Sequence, residues 1–464
     1  MSVTYDLSQQ LSDYGIYHIK SQSSATGYED SDFAQVTYNI GATISIAGDK
    51  VSIVNVINGV TSFGVYIDGV LVGNALYSGA SDWKLDLSTF QGVADGKHTV
   101  ELCAIGTGIA DNRSNPVTYY RGTLPIYGVS GLTDSTPTLY RTDDAEGMDF
   151  VINSSSGSID SDFNEVFPWN EAEVVEDDAG IFLSMPEMFF RVGTDGDGRI
   201  TDIAVSKMPS GEGDWFSVEP FMYGCYGAAV QNNKYVSKSG LARSYSINRN
   251  SARSYARNNG TEYLQLDLYH RTVMLFLWWI EWATKNSESI MTGCIYGSGT
   301  SGGSSRMNTG GTDEVTTPSG FELTRRQMRY HYIEDFVGNL FEFIDGVCCQ
   351  ASGSADYVTT DPSKFSDNTT DKSQLSYVNP NEGYIKAFGW DSTHPFMCLP
   401  IETGASGSTY FCDYTQNYSA SNPVLRCGAF YSGNDGVCGV AYYQRSSASN
   451  YSDYLGARLL KIPA

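Results

Sequence analysis

A chain of 464 residues with 41% hydrophobic and 13% aromatic content is long enough for about two to four domains with sizeable cores. Lys+Arg 29 against Asp+Glu 53 leaves a net charge of −24, which repels phosphate backbones and anionic membranes, so nucleic acid is not an expected partner. Gly 48 and Tyr 32 beside few charges indicate many short strands and turns, a β-rich or α+β composition.

The opening MSVTYDLSQQLSDYG has neither a basic stretch nor an apolar core, so it does not read as a signal peptide. An internal repeat follows. DLS at 6–8 recurs at 86–88, Gly27 corresponds to Gly108, and VTY at 36–38 recurs at 117–119. Alternating runs such as VSIVNVI, FGVYIDGVLVG and HTVELCAIG, broken by Asp-Gly at 68–69 and 95–96, fit antiparallel strands of an Ig-like β-sandwich over 41–122. Residues 1–40 match only the second half of that module, so they are expected to be a partial repeat. Modules of this kind are read as spacers.

A Gly/Ser/Thr/Pro stretch at 123–136 reads as a connector, and a third unit is expected over 123–464. It opens with strand patterns, IFLSMPEMFFRVG and ITDIAVS, flanking GTDGDGRITD at 193–202. Asp195, Asp197 and Gly198 suit a calcium loop, but position one would be Gly193 and position twelve Ala204, without the bidentate glutamate such a loop needs. A hairpin turn is the better reading. The period then changes. Apolar residues recur every three to four over Ser246–Asn258 and Leu266–Lys285, as in amphipathic helices. Trp278, Trp279 and Trp282 are expected in the core, and Arg243, Arg249, Arg253 and Arg257 on a solvated helix face. The apolar run Val273–Ala283 is too short to span a bilayer and carries Glu281, so no membrane insertion is expected. The Gly/Ser-rich 296–313 reads as an exposed loop.

Nine cysteines without a C-x-x-C are read as mostly buried thiols, and five histidines show no metal-binding spacing. No cofactor is expected.

The stretch 422–463 sets exchangeable-looking residues in a fixed apolar frame. Leu425, Val440, Leu455, Leu459 and Ile462 are frame. Phe430, Tyr431, Tyr442, Tyr443 and Tyr451 supply rigid rings, and Asn434, Asp435, Arg445, Ser447, Asn450 and Asp453 supply adaptable polar contacts, as in recognition surfaces. The same composition also fits a Tyr- and Ser-rich β segment with no partner. Trp390 either borders this face or lies in the core. From Cys427 to Tyr454 there is no Lys, Glu, Met or Trp, four of the residues that adenine mutation of AAC or AAT codons does not reach. Gln444 is not reachable either, and is expected to be fixed.

EDFVGNLFEFIDG at 334–346, LRCG at 425–428 and SSASNYSDYLGARL at 446–459 resemble the formylglycine-generating-enzyme type of C-type lectin fold. DFNEVFPWNEAEVVEDD followed by MPEMFFRV resembles the opening of phage or prophage tail proteins of this class from gut bacteria. The frame with exchangeable residues resembles variable proteins of diversity-generating retroelements. The resemblance covers about 135–464. It implies an α+β chain, with a C-type lectin-like head behind an Ig-like spacer and a variable segment at 422–464. It also implies a receptor-binding protein of a virion tail, made in the host cytoplasm, that recognises a bacterial surface protein or glycan; a homotrimer is expected by analogy. Glu342 and Asp345 would hold loops or a structural cation. A bacterial cell-surface adhesin is the alternative. An oxidase is less favoured, because Cys427 and Cys438 are eleven apart where that family's copper pair is five apart; the chain is therefore expected not to be an enzyme.

Overall fold

In the computed structural model the chain divides into two compact units, 1–124 and 125–464. The structure describes residues 16–21, 34–39 and 43 onward, apart from 48–49, 55, 57–59, 80–82, 95, 107–112, 115, 123, 153–157, 210–212, 291–292, 294–306, 314–326, 417–422, 429–438, 442, 448–451 and 464.

In the first unit, strands Ile16–Ser21 and Ala34–Asn39 form an antiparallel pair. Beyond them, Thr43–Ala47, Lys50–Val54 and Lys84–Asp86 make a three-stranded sheet, and Val60–Ile67, Val70–Leu76, Gly96–Gly106 and Val117–Arg121 a four-stranded one. Both sheets contribute to one core, Val51, Ile53 and Leu85 from the first and Phe63, Val65, Val100, Leu102 and Tyr119 from the second. The Asp68-Gly69 turn has φ of 50° and 76°, the left-handed pair that a tight hairpin requires and that Asp-Gly tolerates.

The second unit is built from short strands in several small sheets. One sheet runs Tyr140–Asp143, Ile126–Ser130, Ile200–Ser206, Met188–Thr194, Trp215–Val218. The stretch read as a connector thus contains a strand. A second sheet runs Glu173–Asp177, Gly180–Met185, Phe221–Gly227, Arg458–Lys461, Tyr263–Gln265. The third has seven strands: Pro400–Thr403, Gly383–Phe388, Tyr414–Gln416, Tyr443–Ser447, Pro423–Cys427, Phe341–Ile344, Leu455–Gly456.

Two α-helices occur among the described residues. Helix α1, Arg249–Arg257, starts at Asn248, whose side chain accepts from the Ser251 N–H. Helix α2, Leu268–Trp282, starts at Asp267, which accepts from the His270 N–H, and stops where Ala283 turns left-handed with φ 46°. Both are shorter at each end than the apolar period suggests. Every α2 residue except Tyr269 is buried, as befits a helix that is apolar on nearly all sides. Its Trp278 and Trp279 are fully buried and Trp282 nearly so, and they meet Phe336, Phe411 and Tyr330 ring to ring.

These observations correct the expected α+β class. The chain is mostly β, with many small sheets, two helices and no closed barrel among the described residues. The α+β expectation came with the composition and the resemblance, and two short helices amid many strands supply too small a helical share for it.

Candidate binding segment and its buried support

Strands Pro423–Cys427 and Tyr443–Ser447 lie side by side, antiparallel, with Leu425 opposite Arg445 and Cys427 opposite Tyr443. The chain between them, 428–442, is far longer than the roughly 2–5 residues a hairpin needs. Its return end is clamped from below. Arg271 Nη2 on α2 donates to the Val440 carbonyl at 2.9 Å. The Val440 N–H donates to Ser287 Oγ at 3.1 Å, and the Ala441 N–H to Asp413 Oδ2 at 2.9 Å. Gly439 sits against Asp413 and Ser287 with no room for a Cβ. Burial pushes the Asp413 carboxyl well above its ordinary range.

The proposed contact residues separate into three groups. Tyr443 and Arg445 are fully buried, which corrects their assignment to an exposed surface. They alternate onto the inner side of their strand, as residues two apart must. Tyr443 packs its ring 6.0 Å from Phe388, and its hydroxyl has no hydrogen-bond partner among the described residues. Arg445 Nη2 donates to Asp356 Oδ2 at 3.1 Å and to Asn379 Oδ1. Asp453 is exposed, in a turn before Leu455–Gly456. Ser447 belongs to the strand, but its side chain, like Phe430, Tyr431, Asn434, Asp435, Tyr442, Asn450 and Tyr451, lies outside the described residues. The frame residues Leu425, Val440, Leu455 and Leu459 are buried and Ile462 is packed at the core edge. Trp390 is also in the core, edge-on to Phe216 and Phe396.

Beneath the segment runs a set of buried ion pairs. Glu342 accepts from Arg458 Nε at 2.9 Å and Arg243 Nη2 at 3.0 Å. Asp345 accepts from Arg253 Nε at 2.7 Å. These carboxylates therefore hold arginines. Arg243, Arg249 and Arg253 are buried, which corrects the solvated-face reading. Arg249 Nη1 caps the carbonyls of Ile344 and Val347 at 3.0 and 2.8 Å, so the arginine face of α1 points at the 341–348 segment. Spacing alone did not reveal this, because the acidic partners lie about ninety residues downstream.

Glu334 accepts from the Gly310 and Thr312 N–H groups at 2.9 Å and from Gln327 Nε2 at 3.0 Å. Burial, with Asp335 beside it, pushes its carboxyl up to about 7. Thr309 and Thr312 are buried there, so the described part of the Gly/Ser-rich loop, 307–313, is tied down; 296–306 lies outside the described residues.

Asp195 accepts from the N–H groups of Asp197 and Arg199 and pairs with Arg199 Nε at 2.7 Å, a turn joining two strands. Among the described residues no group of three or more His, Cys, Asp or Glu side chains is arranged for a metal ion. Seven described cysteines are buried and unbridged, and burial pushes the Cys427 thiol up to about 11; Cys438 lies outside the described residues. No helix among the described residues is long and apolar enough to cross a membrane.

No family model matches the chain, and no curated protein does. Among solved structures, PvdO from Pseudomonas aeruginosa matches with 10% identity and a TM-score of 0.29, over 63% of this chain and 98% of its own. A likeness that remote carries no argument about fold or activity.

Proposed function

We propose that the protein is a non-enzymatic ligand-binding component of a phage or prophage tail. In this reading residues 427–454 form a diversified recognition segment of the kind found in retroelement variable proteins, directed at a protein or glycan on a bacterial surface. The observation that carries the proposal is the contrast between frame and connection. Leu425, Cys427, Val440, Ala441, Tyr443 and Arg445 are buried and fixed by α2 and neighbouring strands. Between them runs a long connection of aromatic and small polar residues. Long loops on a rigid scaffold are where recognition is usually carried.

The burial of Tyr443 and Arg445 narrows the proposed contacts to Phe430, Tyr431, Asn434, Asp435, Tyr442, Ser447, Asn450, Tyr451 and Asp453. Catalysis through Cys427 is disfavoured, since a buried thiol with a raised pKa is a poor nucleophile and a poor metal ligand. The test is to replace 429–438 by a Gly/Ser run of equal length and measure adsorption to the host cell. The folded state should survive and adsorption should be lost; retained adsorption would overturn the proposal.

A further inference from the structure

Apart from residues 427–454, the second unit holds a cavity of about 360 Å³ whose lining includes Glu219, Tyr269, His270, Thr360, His394 and Met397. Two imidazoles in that lining are set in the same way. His270 Nδ1 lies 2.8 Å from Asp267 Oδ1, and His394 Nδ1 lies 3.1 Å from Asp391 Oδ2. A carboxylate only accepts, so each Nδ1 carries a hydrogen, and in the neutral imidazole the other ring nitrogen, Nε2, then presents a lone pair. Among the described residues neither Nε2 has a hydrogen-bond partner.

His270 is more than nine-tenths buried, and its ring is held by Phe221 and Tyr269 at 4.7 and 5.0 Å. Asp267 fixes it twice, since the carboxylate that takes the ring hydrogen also accepts the His270 backbone N–H at 2.9 Å. Both histidines line the cavity, so an Nε2 without a protein partner is open to a ligand that enters it.

The lining sets the ligand's chemistry. It contains Glu219 and no Lys or Arg, in a protein of net charge −24, so phosphates and carboxylates are repelled. Two imidazoles without a third His, Cys, Asp or Glu ligand in place do not make a metal site. What remains is a molecule that donates hydrogen bonds and offers an apolar face to Tyr269, Pro395 and Met397. A pyranose ring has both, and the volume lies in the range of small-molecule pockets, about 300–1,000 Å³. We propose that this cavity is a saccharide-binding site in which sugar hydroxyls donate to Nε2 of His270 and His394.

This site is independent of the recognition segment proposed above. The test is calorimetric titration of the full chain with neutral mono- and disaccharides (glucose, galactose, mannose, N-acetylglucosamine and lactose), with inorganic phosphate and zinc chloride as contrasting probes. At least one sugar should bind saturably, and His394→Ala should weaken it by about tenfold or more. His394→Gln, whose amide oxygen still accepts, should recover part of the loss. The thermal midpoint checks that both variants fold. Replacing 429–438 should leave sugar binding intact, which separates this proposal from that of the recognition segment. The proposal is overturned if no sugar binds, if phosphate or zinc binds instead, or if His394→Ala and His270→Gln both bind sugar as wild type does.

Discussion

Arg458 places its Nε 2.9 and 3.1 Å from the two carboxylate oxygens of Glu342, a residue 116 positions earlier in the chain. Its other nitrogens donate to the carbonyls of Gly224 at 2.9 Å and Glu334 at 2.8 Å. One fully buried guanidinium thereby joins strands Phe221–Gly227, Phe341–Ile344 and Arg458–Lys461.

Removing one member of such a pair leaves an uncompensated buried charge. Glu342→Ala should therefore lower the unfolding free energy by about 3–5 kcal/mol, read by chemical denaturation. A loss under about 1 kcal/mol would mean that the pair does not hold the sheets together.

Tyr443 separates packing from hydrogen bonding. Its ring fills the core while its hydroxyl has no partner. Tyr443→Ala should cost about 3–5 kcal/mol, as aromatic truncations in cores do. Tyr443→Phe should be neutral or gain stability, because it deletes an unsatisfied buried polar group. A Phe variant much less stable than wild type would show that the hydroxyl is bonded.

Substitutions at the proposed contact residues should behave in the opposite way. Tyr442→Ser with Tyr451→Ser should shift stability by no more than about 0.5 kcal/mol each and abolish host adsorption. A large drop in the thermal midpoint would place these rings inside. Cys427→Ser should leave adsorption intact.

Glu334 gives a pH signature. Its folded-state carboxyl is raised from 4.5 to about 7 by burial and by Asp335. The folded protein therefore binds the proton more tightly than the unfolded chain does. The resulting stabilisation is complete below pH 4.5 and is lost as pH climbs to about 7. Wild-type stability should fall across that window relative to Glu334→Gln, and the difference should level off above it. Parallel profiles for the two proteins would refute the shift.

Local features were legible in the sequence. The Asp-Gly turn at 68–69, the α2 tryptophans and the apolar frame from Leu425 to Leu459 follow from turn chemistry and period, which depend on neighbours within a few residues. The roles of Arg243, Arg249, Arg253 and Arg445 were not legible. Each looks like a surface charge until a carboxylate about ninety or more residues away is brought beside it, and only tertiary structure does that. Tyr443 was misread for a related reason: composition marks it as a contact residue, but strand parity turns it inward. The Asp267–His270 and Asp391–His394 pairs, each three residues apart, were visible as a spacing but carried no weight before one cavity joined them.

The strand Arg458–Lys461 lies between Phe221–Gly227 and Tyr263–Gln265, inside its sheet. A ribosome must therefore translate the whole of 427–454 before the piece that completes this sheet exists. A stop codon or a shifted reading frame anywhere in that stretch removes Arg458 and leaves Glu342 without that partner, and the sheet without an inner strand. Whatever changes arise in 427–454, only messages read through it in frame carry that inner strand. The order of the chain thus acts as an error filter on the segment proposed to vary.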